Sequence, residues 1–158
     1  MPKPRIYIET TIPSYLTARK SHDILVAAHQ QITGEWWTLR RQNFDLFTSE
    51  LVWKKPDSET PTPPDDGWLL LRGIPLLDLT PAVRRLAGRF LAGGLIPAKA
   101  ADDALHVAFA TAHGMDLLLT WNCRHIANAE IIARLADAAA EFGHRLPVLC
   151  TREPLMGG

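Results

Sequence analysis

The stretch Lys99-Ala-Ala-Asp-Asp-Ala-Leu-His-Val-Ala-Phe-Ala-Thr-Ala-His-Gly114, followed by Asp116-Leu-Leu-Leu-Thr-Trp-Asn122, constrains the fold more than any other part of the chain. It reads as an alanine-rich helix feeding a buried strand, with two adjacent aspartates in the first helical turn and Thr120, Trp121 and Asn122 where the strand runs out. Polar side chains are thereby gathered at the carboxyl edge of a sheet, which is where open α/β proteins bind their ligands.

The rest of the chain repeats this alternation. Strand candidates are Arg5–Ile8, Asp45–Thr48, Ile74–Leu79, Leu117–Thr120 and Pro147–Cys150. A helical turn is expected over Ile12–Leu16. From Asp23 to Arg41 the apolar residues Leu25, Ala28, Ile32, Trp36 and Leu39 recur at helical spacing, with Ser21 as the expected cap. Ser49 is placed to cap a helix that stops early, because Pro56, Pro61, Pro63 and Pro64 break the pattern into a loop. Trp68–Leu71 is a further short helical candidate. Thr80-Pro81 is a helix start with a capping hydroxyl and proline in the first turn, and Gly93-Gly94 closes that helix. Asn128–Phe142 carries the last helix, stopped by Gly143. Strands alternating with helices predict a parallel sheet covered by helices on both faces, in one domain spanning 1–158.

Composition narrows the class without naming a function. The 158 residues suit one domain with a full core, and 47% hydrophobic with 22% charged residues is an ordinary globular balance. Seventeen basic residues offset seventeen acidic ones, so net charge gives no pull toward nucleic acid and does not exclude a local basic patch. Cys123 and Cys150 have no metal spacing and are expected to be reduced thiols. The absence of a signal-like start and of an apolar run near ~20 residues makes the cytoplasm the expected compartment.

The chemistry-bearing candidates are Glu9 after the first strand, Asp102 and Asp103 at the start of the central helix, and Asn122 after the fourth strand. All are oxygen donors, the ligand type that Mg²⁺ and Mn²⁺ prefer. Metal-assisted phosphodiester hydrolysis is the reaction such a set suggests. Each residue also has a plainer role: the aspartates favour a helix amino terminus, Asn122 caps or turns the chain, and Glu9 is a strand-end charge. His106 lies one turn beyond Asp103, close enough to orient it. Trp121 is a candidate to stack on a base, and Lys54-Lys55 and Arg124-His125 to meet phosphates.

At this point the chain resembles a family, the PIN-domain proteins, and within it the VapC-like branch. The matching pieces are Ile6-Tyr-Ile-Glu-Thr-Thr-Ile-Pro-Ser-Tyr-Leu16, Thr48-Ser-Glu-Leu-Val52, Asp103-Ala-Leu-His-Val-Ala108 and Leu118-Leu-Thr-Trp-Asn-Cys-Arg-His-Ile-Ala-Asn128. The resemblance implies a Rossmann-like sheet of about five parallel strands and a Mg²⁺- or Mn²⁺-dependent ribonuclease acting as the toxin of a toxin–antitoxin pair. It implies a small antitoxin protein as partner, RNA as substrate, and a homodimer. Carried over position by position, Glu9 stands at the first acidic position and Asp103 at the central-helix aspartate. Thr120 matches the small hydroxyl residue ending the fourth strand, and Asn122 the position where many members carry a further Asp. Glu9, Asp103 and Asn122 are thus the expected catalytic residues. Glu9, Asp103 and Asp102 are the expected metal ligands, and Thr10, Thr120, Arg124, Lys54 and Lys55 the expected substrate contacts.

One departure bears on activity. After Ser49-Glu-Leu-Val the family usually places a glutamate, whereas this chain has Trp53-Lys54-Lys55-Pro56. A lysine there weakens the attraction for a divalent ion twice, by the lost carboxylate and by the added ammonium. Glu50, one turn earlier, and Asp102 are the acids that could compensate, and neither sits at the expected position. The alternative reading is therefore a fold that has lost the metal and binds RNA or a protein partner without cleaving, through Lys54, Lys55 and Arg124.

Overall fold

The computed structural model of the chain describes residues 2–53, 70–121 and 128–150. Four short strands, β1 (Arg5–Ile8), β2 (Asp45–Phe47), β3 (Leu117–Leu119) and β4 (Val148–Cys150), form one parallel sheet in the order β2-β1-β3-β4. Five α-helices stand among the described residues: α1 (Thr11–Thr17), α2 (Ile24–Leu39), α3 (Pro81–Ala92), α4 (Ala101–Ala112) and α5 (Ala129–Glu141). The arrangement is Rossmann-like. No helix among the described residues is long and apolar enough to cross a membrane.

Side-chain alternation along the strands divides the interior in two. Tyr7 and Leu118 point into one core, built with Val83, Leu86 and Phe90 of α3, Ala104 and Val107 of α4, and Leu135 of α5. Ile6, Ile8 and Leu119 point the opposite way, onto Ile12 of α1, Trp36 and Trp37 of α2, and Val52, Leu71 and Trp121. A strand buried on both faces must be apolar at every position, which is why β1 and β3 read as continuous runs rather than alternating ones.

Local signals set the helix ends in three places. Thr80 Oγ1 accepts from Val83 N at 3.3 Å with Pro81 in the first turn of α3, and Asn128 Oδ1 accepts from Glu130 N and Ile131 N at the start of α5. Gly114 (φ +67°) lets the chain turn from α4 back toward the sheet, a conformation that L side chains resist. Two expected caps differ. Asp23, not Ser21, caps α2 by accepting from Val26 N at 3.0 Å, while Ser21 Oγ accepts from Asp23 N. Ser49 does not use its hydroxyl as a cap, and the turn Glu50–Trp53 after it is 3₁₀.

Ile74–Leu79 does not become a strand. It touches the sheet by one parallel bridge, Thr48 to Leu76, with Thr48 N donating to Pro75 O and Leu77 N to Thr48 O. Pro75 supplies no N–H for a ladder, and β2 itself ends at Phe47, so pairing stops after one step. The described sheet has four strands where five were expected. The buried face of α2 also lies to one side of the expected stripe. Thr33, Trp36 and Trp37 are buried, whereas Leu25 and Leu39 are each 66% exposed. Of the short helix expected over Trp68–Leu71, the first half lies outside the described residues, as do the lysines and prolines of residues 54–69.

Candidate functional site

β1 sits between β2 and β3, so the chain leaves its carboxyl end toward one side of the sheet and returns later on the other. This is the topological switch point at which open parallel sheets form a crevice. Glu9 follows β1 and Thr120 follows β3 at that crevice, and Glu9 N donates to Leu119 O at 3.2 Å, extending the ladder by one bond. α4 brings Asp102 and Asp103 to the same edge in its first turn, both half-buried.

Glu9 is buried to 3% exposure, and its Oε2 is gripped by three donors. Thr120 Oγ1 donates at 2.7 Å, Thr11 Oγ1 at 2.6 Å and Thr11 N at 3.2 Å. Thr11 Oγ1 also accepts from Trp121 N at 3.0 Å, which ties the residue after Thr120 to the start of α1. Burial pushes the Glu9 carboxyl from 4.5 up to about 7; the hydrogen bonds from Thr11 and Thr120 oppose the rise, and the negative charge of Asp103 adds to it. A carboxylate raised chiefly by burial, with a second carboxylate near it, gains from a proton or a cation that offsets its charge.

The two aspartates act in different directions. Asp103 is the charge felt at Glu9, whereas Asp102 is the charge felt at His106. The expectation that His106 orients Asp103 gives way to another arrangement. His106 is 3% exposed, its Nδ1 lies 2.6 Å from the Tyr7 hydroxyl, and its Nε2 lies 3.2 Å from Thr10 Oγ1. Tyr7 OH is in turn 2.7 Å from Ser49 Oγ. Burial lowers the imidazole from 6.5 to about 4 against the pull of Asp102, so it is neutral at physiological pH. Burial likewise holds the Tyr7 phenol protonated, far above its usual range.

Trp121 is packed rather than free to stack on a base. Its ring lies nearly parallel to that of His29 at 4.1 Å, and its Nε1 donates to Thr33 Oγ1 at 2.7 Å. This also explains why a threonine occupies the buried face of α2. Glu50 is exposed and lines a cleft of about 550 Å³ with Leu51, Leu76, Leu79, Leu105 and Phe109.

Of the expected site residues, the structure therefore gathers Glu9, Thr10, Asp102, Asp103 and Thr120 at one edge of the sheet. Asn122, Arg124, Lys54 and Lys55 lie outside the described residues. Sequence reasoning assigns no role to Thr11 or Tyr7, and to Ser49 only that of a helix cap. Thr11 carries a signal, as the second of two consecutive threonines after a strand-end acid. Tyr7 and Ser49 carry none, because their partners are distant in sequence.

The donor set suits a hard divalent ion. Glu9 and Asp103 supply two carboxylates, a number Mg²⁺ commonly accepts while keeping waters and substrate phosphate oxygens as its other ligands. Among the described residues no group of three or more His, Cys, Asp or Glu side chains is placed to hold a metal ion. Glu9 and Asp103 are thus the two carboxylates that would hold such an ion. Comparison with known proteins adds no identification: no family model, no curated protein and no solved structure matches the chain.

Proposed function

We propose that this chain is a metal-dependent endoribonuclease of the PIN-domain, VapC-like toxin type, which it resembles in sequence. The observation that carries the reading is the Glu9–Asp103 pair: two like charges at the switch point of a parallel sheet, one of them buried and clamped by three donors. A clamp on Oε2 by Thr11 and Thr120 leaves the carboxyl group with one fixed orientation, which a loosely held surface glutamate lacks. Such fixed orientation of a ligand by its neighbours is a recurring feature of metal sites.

Glu9 and Asp103 would hold Mg²⁺ or Mn²⁺. When bound, the ion supplies an activated water and neutralises charge on the phosphate. In hydrolysis the water oxygen bonds to phosphorus as the bond to the leaving oxygen breaks. The chain's own contribution is the burial of Glu9 and the threonine hydroxyls of Thr11 and Thr120 that orient it. On the same resemblance, the partner is a small antitoxin that covers the carboxylates, and the working form is a homodimer.

Calorimetric titration of the purified protein with Mn²⁺, beside a cleavage assay on mixed-sequence RNA, tests the proposal. Saturable binding and cleavage that are both lost in Asp103→Asn support it. Binding should also release protons and tighten as pH rises through about 7, because the Glu9 carboxyl must ionise first. Absence of binding at millimolar metal, with no cleavage, overturns it and leaves a fold that binds without cutting.

A further inference from the structure

Ser49, Tyr7, His106 and Thr10 form a continuous chain of polar contacts running from the interior to the edge where Glu9 stands. The distances favour one direction for its protons. The 2.6 Å contact between Tyr7 OH and His106 Nδ1 is shorter than the usual N–H···O range and suits an O–H donor meeting an imidazole nitrogen. This contact suits Tyr7 as donor and Nδ1 as acceptor. A neutral imidazole has one N–H, so the proton sits on Nε2 and is donated to Thr10 Oγ1, at a 3.2 Å separation normal for a longer N–H···O bond. Ser49, fully buried, supplies the donor that Tyr7's oxygen then accepts.

Thr10 is the outlet of this chain. It occupies the cap position of α1, where a threonine hydroxyl ordinarily accepts from the helix backbone, yet it makes no side-chain cap hydrogen bond. Its oxygen accepts from His106 instead, and its own proton is left for another acceptor. Thr10 is half-buried and adjacent to Glu9.

The geometry points to His106 as a positioning residue that, fixed by Tyr7 as the Nε2–H tautomer, turns the Thr10 hydroxyl into a hydrogen-bond donor for a phosphate oxygen of the substrate. The ligand part of this inference rests on the ribonuclease reading; the tautomer part does not. The arrangement resembles the way a third group fixes the tautomer of a histidine that acts on a second.

Two measurements test it. Long-range ¹⁵N–¹H correlation NMR of the histidine rings reads the tautomer directly: the wild-type protein is expected to show His106 protonated on Nε2, and Tyr7→Phe to lose that preference. Fluorescence polarisation with an RNA oligonucleotide, in buffer where Ca²⁺ replaces Mg²⁺ and Mn²⁺ to hold back cleavage, reads the contact. Thr10→Val keeps the shape and removes the hydroxyl, and should weaken binding about tenfold, the size of one hydrogen bond to a charged oxygen. Thr10→Ser should restore it to within about twofold, on the same ground that the hydroxyl and not the methyl group makes the bond. A wild-type His106 protonated on Nδ1, or Thr10→Val binding as tightly as wild type, overturns the inference while the nuclease reading stands. Failure of the wild-type protein to bind the RNA defeats the nuclease reading and the ligand part with it.

Discussion

Replacing Glu9 by Gln should change how stability depends on pH in a way that isolates one buried carboxyl. In the folded chain the Glu9 proton is held up to about pH 7, whereas a free glutamate releases it near 4.5. Between these values the folded state binds more protons than the unfolded one, so stability falls as pH rises. This contribution is full below about 4.5 and gone above about 7. At roughly 1.4 kcal/mol per pH unit, it amounts to about 3 kcal/mol. His106 works in the opposite sense. Its folded value of about 4 lies below the ordinary 6.5, so its contribution is full above 6.5 and lost as pH falls toward 4. It is also worth about 3 kcal/mol on the same scale. The two nearly cancel in the wild-type protein, which should show little net slope from this pair across mildly acid pH. Glu9→Gln keeps an oxygen for the Thr11 and Thr120 donors and removes the titration. Urea unfolding in EDTA-containing buffers, followed by circular dichroism, gives the difference in stability between variant and wild type at each pH. That difference should climb by about 3 kcal/mol in the variant's favour between pH 4.5 and 7, exposing the His106 slope. A difference that stays constant with pH would refute the claim that Glu9 keeps its proton in the folded chain.

Other expectations concern the frame around the site. Thr33→Val leaves the Trp121 indole N–H without its 2.7 Å acceptor in a buried place, and should cost about 1–3 kcal/mol in chemical denaturation. Phe90→Ala opens a cavity in the core shared by α3 and α4 at a position with 0% exposure, and should cost about 3–5 kcal/mol by the same assay. Gly114→Ala meets no atom within 4 Å, so any loss reports backbone strain at φ +67° alone; about 1–2 kcal/mol is expected, read as a lowered Tm.

What could be read in the sequence was what short-range chemistry decides. β1 from Arg5 to Ile8, the Thr80-Pro81 start of α3 and the Asn128 start of α5 each carry their own local cause, and each appears as expected. Ile74–Leu79 misled because strand formation needs a partner, and Pro75 denies it one beyond the single bridge. On α2 the apolar count chose Leu25 and Leu39, but the face that is buried includes Thr33, whose hydroxyl is spent on a tryptophan 88 residues away. The same holds at the edge of the sheet. Glu9, Asp103 and Thr120 could be picked out as polar residues at element ends. The Tyr7–His106 contact spans 99 residues and the Tyr7–Ser49 contact 42, and no local pattern announces either.

The bond from Thr120 to Glu9 closes across 111 residues of chain. During synthesis β1 leaves the ribosome early, yet one of its two neighbours does not exist until β3 has followed it out. At roughly 5–20 residues per second the wait is on the order of ten seconds. Through that interval Glu9 stands on an unfinished sheet with Thr11 beside it but without the Thr120 donor that closes its clamp. For most of that interval the nascent chain carries Glu9 but neither Asp103 nor Thr120, and the edge is complete only when the strand bearing Thr120 has been made.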